Sequence, residues 1–412
     1  MIPIKQFSAS VAATPALEGI RVLSLECFIA GPTASMWLAD MGAEVIKIEQ
    51  PGSGDPARLL EPSKDNGERR SLALLRPNRN KKSLTLNLKQ PEGAALFEQL
   101  LKKSDVLIDN LRPDALERLG FTWERLHQIN PQLIYTAISG FGRKETSNGP
   151  FQDWPAFDIV GQAMAGLMQR PERQTTDPAY LGFPLADIQV GIVAATGTLQ
   201  ALFQRTRTGI GQMIDIAMYD AALVMNELAI ILNAALGVVP APGLHALSYP
   251  FGSFRANDGF IVIAVLGEKI WERFCVAIGR PELGADPRLQ SGIDRNAHAS
   301  WLNPLINDWV GQRSRKHSVD YLIAQGVPAG PVQDVDDIAV CPQVAARDML
   351  LEIDDPAWGK VKVPGQPIKA SGSPPARNAP PPKLGEHTDA LLSELVGLDG
   401  AAMADLRSRG VV

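Results

Sequence analysis

Short apolar runs alternate with amphipathic stretches along the first third of the chain. Residues 20–25 (IRVLSL), 44–49 (EVIKIE), 83–88 (SLTLNL), 105–109 (DVLID) and 133–138 are compact and rich in Val, Ile and Leu, the pattern of strands buried on both faces. Helical spacing separates them. It predicts helices over 32–41, stopped by Gly42; from Pro91, with Leu96, Leu100 and Leu101 as the apolar stripe; and over 113–118 and 122–129. Pro91 suits a first helical turn, where its missing N–H has no intrahelical acceptor to lose. Strands alternating with helices predict a mostly parallel sheet with right-handed crossovers, an α/β, doubly wound, Rossmann-like core.

The pattern changes beyond residue 185. Residues 189–206 and 218–235 read as long helices flanking a short strand at 212–217. Gly and Pro cluster over 237–243, which marks a linker or domain edge. Residues 254–265 read as a hairpin around Asn257-Asp258-Gly259, followed by helices over 269–278 and 299–310. VPAGPV (327–332) reads as a rigid connector. The Pro-, Ser-, Ala- and Gly-rich stretch 364–382 reads as an extended strap, and a final helix is predicted over 389–396. The organisation expected is a large Rossmann-like domain over 1–235, a smaller α+β domain over 240–330, and a linker with a C-terminal segment over 331–412.

Composition narrows the function classes. The 412 residues carry a net charge of −5, with 45% hydrophobic and 21% charged side chains, an ordinary globular balance. An acidic chain is a poor partner for nucleic acid, which calls for a basic surplus. The three cysteines, Cys27, Cys275 and Cys341, are far apart and form no C-x-x-C pair, which points away from disulfides and zinc and toward a reducing compartment. The first 16 residues lack the apolar core of a signal peptide. The apolar stretch 217–240 is interrupted by Asp220, Asn226, Glu227 and Asn233, as in a buried helix rather than a membrane span. A cytoplasmic, non-membrane protein is expected. The turn after the first strand, Glu26-Cys27-Phe28-Ile29-Ala30-Gly31-Pro32, has no G-x-G-x-x-G. No Walker loop or G-x-S-x-G elbow occurs, and the five histidines show no metal-ligand spacing, so no metal is expected.

Several blocks carry a more specific signal. GIRVLSLECFIAGPTASMWLADMGAEVIKIEQPGSGDPAR (19–58), NRNKKSLTLNLKQPEG (78–93), SDVLIDNLRPDALERLGF (104–121), FDIVGQAMAGLM (157–168), LADIQVGIVAATGTLQAL (185–202), TGIGQMIDIAMYDA (208–221), VPAGPV and LGEHTD (384–389) occur in one register across nearly the whole chain. Together they resemble the class III CoA-transferases, the CaiB/BaiF type that includes formyl-CoA, carnitine and succinyl-CoA-dependent enzymes. The resemblance implies a Rossmann-type large domain and a small domain. It also implies two subunits interlocked as a homodimer, with the C-terminal segment returning to the large domain.

The same resemblance puts the catalytic aspartate at Asp187. By position alone Asp187 reads as the N-cap of a long helix, a role that contributes about 1 kcal/mol; the two roles are compatible because helix N-termini favour negative charge. The mechanism implied is covalent, through an aspartyl anhydride and then an aspartyl-CoA thioester. The substrates implied are an acyl-CoA donor such as succinyl-CoA and a small organic acid. An aspartate with an ordinary pKa of about 3.9 is already ionised at neutral pH and requires no adjacent base. Coenzyme A would meet Asn87, Leu88, Lys89, Asn110, Leu111, Arg118 and Leu119, just past strand ends where open α/β sheets bind ligands. Lys81, Lys82 and Arg112 would add a local positive patch. Gly31, Gly140 and Gly142 are candidate oxyanion donors.

Phe157-Asp158 separates two branches of the resemblance. Racemases of 2-methylacyl-CoA have a His-Asp pair here, and the His is one of two proton-transfer groups. Phe157 cannot serve in that role. In the transferases an aromatic at Phe157 fits a wall of the CoA thiol channel; the plain alternative is core packing. Asp158 reads as a helix cap or as a partner of the catalytic residue. Ile29 and Gln50 stand where the formyl-CoA enzymes have a Gln and an adenine-side Arg, and no Gly-rich loop is evident over 244–249, where His245 and Tyr249 could reach the site. Three readings remain: a CoA-transferase, a racemase-type isomerase, and a non-catalytic CoA-binding protein.

Overall fold

The computed structural model describes residues 14–64, 70–168, 177–239 and 245–412. Residues up to Met168, Tyr180–Asn226 and Ala345–Val412 form one compact unit, and a second is built on Glu227–Val344.

The first unit is organised by a six-stranded sheet. Its strands are β1 (Arg21–Leu25), β2 (Glu44–Glu49), β3 (Lys82–Thr85), β4 (Val106–Asp109), β5 (Ile134–Ser139) and β6 (Met213–Ala217). The order is β3-β2-β1-β4-β5-β6, and every pairing is parallel. Alternation along each strand sends Val22, Val45, Val106 and Ile134 to one face, where they pack with Ala34, Leu38, Val190 and Ala194. Leu23, Ile46, Leu84 and Leu107 go to the other, with Phe97, Leu100 and Leu101. Both faces are covered, which is why most of the strands are rich in Val, Ile and Leu. Each fully buried side chain of this kind stabilises the fold by roughly 1.5–3 kcal/mol.

The end of the chain completes the second face. Leu391, Leu392, Leu406 and Val411 lie within the Leu23 core. The His387 N–H donates to the Ser83 carbonyl at 2.9 Å, and the Asn87 N–H to that of Val411 at 2.8 Å. The stretch 331–412 also holds structure that its composition hid. Leu350–Asp355 and Gly359–Pro364 pair as an antiparallel ladder, and a helix over Gly400–Ser408 follows Thr388–Val396. Buried Arg70 ties this ladder to the sheet unit through Asp355 at 3.0 Å.

Two other expectations need correction. Residues 218–235 are not one helix: Met218–Val224 ends before Asn226, and Glu227–Leu236 is a separate helix. At the break, Asn226 turns its Nδ2 toward the Ala165 carbonyl at 2.9 Å, a bond that lies outside either helix. VPAGPV is not only a connector, because Ala329–Pro331 is a strand. It pairs antiparallel with Gly259–Ala264, which pairs in turn with Phe251–Ala256. Helices bearing Trp271, Phe274, Leu302 and Ile306 cover that three-stranded sheet. Of the Gly/Pro linker at 237–243, residues 240–243 lie outside the described residues.

Candidate functional site

The site lies where two polypeptide turns meet in the sheet unit. Leaving β1, the chain passes through Glu26-Cys27-Phe28-Ile29 before helix Ala30–Asp40. Asn110, just past β4, clamps this turn from both sides. Its Oδ1 accepts from the Cys27 N–H and its Nδ2 donates to the Cys27 carbonyl, both at 2.9 Å. Phe28 takes a left-handed backbone with φ of 61°, which costs a bulky side chain about 1–2 kcal/mol. Its N–H donates to Asp55 Oδ1 at 3.2 Å, and Asp55 Oδ2 accepts from Lys47 Nζ at 2.6 Å. The Lys47 and Asp55 side chains have no exposed surface. Alongside, Lys81 Nζ donates to Glu26 Oε1 at 2.7 Å, equally buried.

The second turn opens helix Leu185–Thr208, whose N-cap is Pro184 and offers no side-chain bond. Asp187 is the third residue of that helix, not its N-cap. Capping comes from elsewhere: Asp158 Oδ1 accepts from the Ala186 N–H at 2.7 Å and from the Asp187 N–H at 3.1 Å. Its Oδ2 accepts from Gln162 at 2.6 Å, and the Tyr180 side chain also bonds to Asp158. Asp158 does not cap the helix it opens, whose N-cap is Phe157; it caps the Asp187 helix instead, as the direct neighbour of Asp187.

This arrangement sets the electrostatics. Burial, and then the Asp158 carboxylate, push Asp187 from the ordinary 3.8 up to about 7, with Arg76 opposing. The expectation of an aspartate fully ionised at neutral pH is corrected: the N–H groups that would have stabilised its charge are already bonded to Asp158. One turn further along, Gly191 receives helix Ala30–Asp40. A Cβ there would lie 2.7 Å from Thr33 Cβ and 2.8 Å from the Ala30 carbonyl oxygen. This crossing sets the Phe28-Ile29 turn beside the first turn of the Asp187 helix.

Phe157 is not core packing. It is 64% exposed and meets Phe28 edge to face, with ring centroids 5.9 Å apart. Tyr180, Leu181 and Phe183, just before the Asp187 helix, are 42%, 41% and 50% exposed. An exposed apolar group of this size beside a desolvated carboxylate has the character of a binding surface.

The residues expected to meet coenzyme A follow β3 and β4 but differ in their freedom. Leu88 is buried in the core, and Leu111 and Leu119 pack against it. Asn87 accepts from the Lys89 N–H at 3.1 Å, and Asn110 is committed to Cys27. Lys89 is exposed. Arg118 is exposed and pairs with Asp114 at 2.7 Å. The expected Lys81–Lys82–Arg112 patch does not exist as such. Lys81 is buried against Glu26, Lys82 pairs with Glu44 at 2.6 Å, and only Arg112 is exposed without a carboxylate partner among the described residues.

Among the glycines, the Gly142 N–H is bonded to Ser139 Oγ at 2.8 Å, and Gly31 is wedged against Asn110 and Glu26. Tyr249 is a core residue of the second unit, 3% exposed, with its carbonyl bonded to Arg295 at 2.9 Å. His245 stacks near Phe251 with ring centroids 4.4 Å apart. Lys47, Asp55, Arg76 and Gly191 were given no role by the sequence reading, although Lys47 and Asp55 lie in the 19–58 block and Gly191 in the 185–202 block. No cluster of three or more metal-ligating side chains occurs among the described residues.

Known proteins resemble this chain along most of its length. The acetyl-CoA:oxalate CoA-transferase of Acetobacter aceti is 37% identical over 92% of this chain and 95% of its own length. The succinyl-CoA–D-citramalate CoA-transferase of Chloroflexus aurantiacus is 34% identical over 96% and 98%. The crystal structure of a CaiB/BaiF family protein from Brucella suis superposes with a TM-score of 0.79 at 32% identity, covering 93% of this chain and all (100%) of that one. The profile of CoA-transferase family III spans residues 17–388. On the sheet, the Asp187 helix and these matches together, the chain belongs to CoA-transferase family III.

Proposed function

We propose that the protein transfers coenzyme A from an acyl-CoA donor, succinyl-CoA being the first to test, to a small organic acid, with Asp187 carrying the acyl group. The observation that carries this reading is the desolvated Asp187 carboxylate beside an exposed apolar surface. Relatives named for oxalate and D-citramalate make a short dicarboxylate the acceptor class to try.

In this reading the Asp187 carboxylate attacks the thioester carbon, the C–S bond breaks, and a mixed anhydride and CoA thiolate result. The thiolate then attacks the Asp187 carbonyl of the anhydride and expels the donor acid as its carboxylate, leaving an aspartyl-CoA thioester. The acceptor carboxylate runs the two steps in reverse. Removal of Asp187 from water raises its basicity and with it its nucleophilicity once ionised. Arg118 and Lys89 would meet the phosphates of coenzyme A through charge-assisted bonds, while Leu88, Leu111 and Leu119 hold the strand ends that present them. No metal is assigned a part. A 2-methylacyl-CoA racemase would need a second proton-transfer group where Phe157 has none.

A homodimer, interlocked as in the family, and a cytoplasmic location belong to the same reading. Helix Glu227–Leu236 supports the first: it buries only Leu232, while Ile230, Ile231 and Leu236 are 45%, 59% and 65% exposed. The net charge of −5 speaks against a nucleic-acid partner.

The test is incubation with succinyl-CoA and a panel of carboxylic acids, read by mass spectrometry for new acyl-CoA species. Hydroxylamine trapping should label Asp187, and Asp187→Ala should abolish both signals. Transfer that survives in Asp187→Ala would refute the covalent reading. Exchange of an α-hydrogen with deuterated water, without transfer, would favour the isomerase.

A further inference from the structure

We infer that Phe28, held in its left-handed conformation by the buried Lys47–Asp55 pair, forms with Phe157 an aromatic wall that keeps water from the acyl group on Asp187. This rests on the covalent reading above and names the residues that decide between transfer and hydrolysis. The geometry around Phe28 and Phe157 carries it.

The backbone at Phe28 has a positive φ, a region that bulky residues rarely occupy. Such strain persists only where surrounding structure over-determines it, and here it is over-determined. Asn110 clamps the preceding residue at both its N–H and its carbonyl. Asp55 takes the Phe28 N–H while itself held by Lys47, by its own N–H to Glu49 at 3.0 Å, and by the Ala57 N–H at 2.8 Å. Glu49 in turn is gripped by Arg58 through two bonds of 2.7 Å. This buried ionic network is far more elaborate than a turn of this length needs for connection alone.

The ring it aims meets Phe157 at an interplanar angle of 84°. Phe157 immediately precedes Asp158, which is bonded to the Asp187 N–H. Gly191 admits the start of helix Ala30–Asp40 against the Asp187 helix, which brings the Phe28 turn to the same place from the other side. The paired rings thus stand next to Asp158, the residue that caps the Asp187 helix, and both acyl derivatives of Asp187 are prone to hydrolysis. Water adding to the aspartyl-CoA carbonyl would break its C–S bond, releasing CoA thiol, the Asp187 carboxylate and a proton. Water adding to the anhydride would release two carboxylates and two protons. Either event turns a transferase into a thioesterase, so exclusion of water is a functional requirement.

The experiment measures the ratio of acyl-CoA hydrolysis to CoA transfer with succinyl-CoA and an accepted acid. Phe28→Gly removes the ring, and glycine adopts the observed φ without strain; Phe157→Ala removes the other half of the wall. Each is expected to raise the hydrolysis-to-transfer ratio about tenfold, equivalent to about 1.4 kcal/mol in the difference between the two barriers, with the melting temperature close to that of the parent. The excess hydrolysis should vanish when Asp187→Ala is added, since it proceeds through the aspartyl acyl group. An unchanged ratio in both variants would overturn the wall, as would excess hydrolysis that survives Asp187→Ala. If Asp187→Ala alone still transfers CoA, the covalent reading itself fails; if it is inactive and the ratios are unchanged, only the wall fails.

Discussion

Asp158 bonds to the backbone N–H of Asp187 at 3.1 Å, so one carboxylate occupies the helix terminus that would otherwise stabilise the other. A helix N-terminus favours negative charge through its free N–H groups. Here those groups are taken, and burial and the like charge at Asp187 outweigh Arg76 and favour its protonated form.

Asp158→Asn should therefore shift the acid limb of the kcat/KM–pH profile downward. Asn still offers an oxygen to the Ala186 and Asp187 N–H groups but carries no charge. The parent limb is expected near pH 7, where Asp187 ionises, and the variant limb about one unit lower. A pH–rate profile with identical limbs would show that Asp158 does not tune Asp187.

The same shift has a consequence for stability. The folded-state value of about 7 exceeds the ordinary 3.8. Between these values the folded chain holds a proton that the unfolded chain has released, so stability falls as pH rises through this window. Asp187→Asn removes the titration. It should be more stable than the parent at pH 8, by roughly 1–3 kcal/mol after allowance for solvent screening. The gain should shrink toward zero by pH 4. Thermal melts at both pH values decide the matter.

Lys81→Met should destabilise the protein strongly, because it leaves Glu26 buried without its closest partner. Breaking a buried pair from one side costs about 3–5 kcal/mol. Urea denaturation should show this as a lower midpoint. The double variant with Glu26→Gln should recover part of the loss, since it removes the orphaned charge.

Gly191→Ala should push helix Ala30–Asp40 away from the Asp187 helix, because the new Cβ would sit 2.7 Å from Thr33 Cβ and 2.8 Å from the Ala30 carbonyl oxygen, a backbone atom with little room to move. Overpacking of this kind costs about 1–3 kcal/mol. A fall in kcat larger than the fall in KM would show that the crossing positions the site rather than merely supporting the fold.

Arg118→Ala should raise KM for the acyl-CoA by about three- to tenfold and leave kcat nearly unchanged, the signature of a contact made equally in ground and transition states. Arg118 is exposed and, among the described residues, ion-paired only to Asp114 on its own turn, so its folding cost should be small. An unchanged KM across a range of salt concentrations would remove it from the coenzyme A site.

Local patterning carried much of this protein. Five of the six parallel strands were visible as short apolar runs because both faces of the sheet are covered, and the half-buried edge strand Met213–Ala217 as a short strand between two helices. The two-stranded ladder over Leu350–Asp355 and Gly359–Pro364 was not, since its exposed alternation sits among polar residues with no strong period. The break at Asn226 was hidden because the apolar pattern continues across it, while the partner of Asn226 at the break, Ala165, lies 61 residues away. Lys81 looked like a surface charge because sequence reports its type and not its partner, Glu26, 55 residues away.

The amino-acid sequence by itself determined the succession of elements, the family resemblance and the place of Asp187 at the opening of a long helix. Periodicity, helix starts and ordered motifs are all written in neighbouring residues. The tertiary structure alone decided that Asp158, 29 residues upstream, caps that helix, and that Phe28 is bent toward Phe157 by Asp55, 27 residues downstream of it. Burial and like charge at Asp187 are properties of what surrounds a side chain in space, and no short-range pattern encodes them.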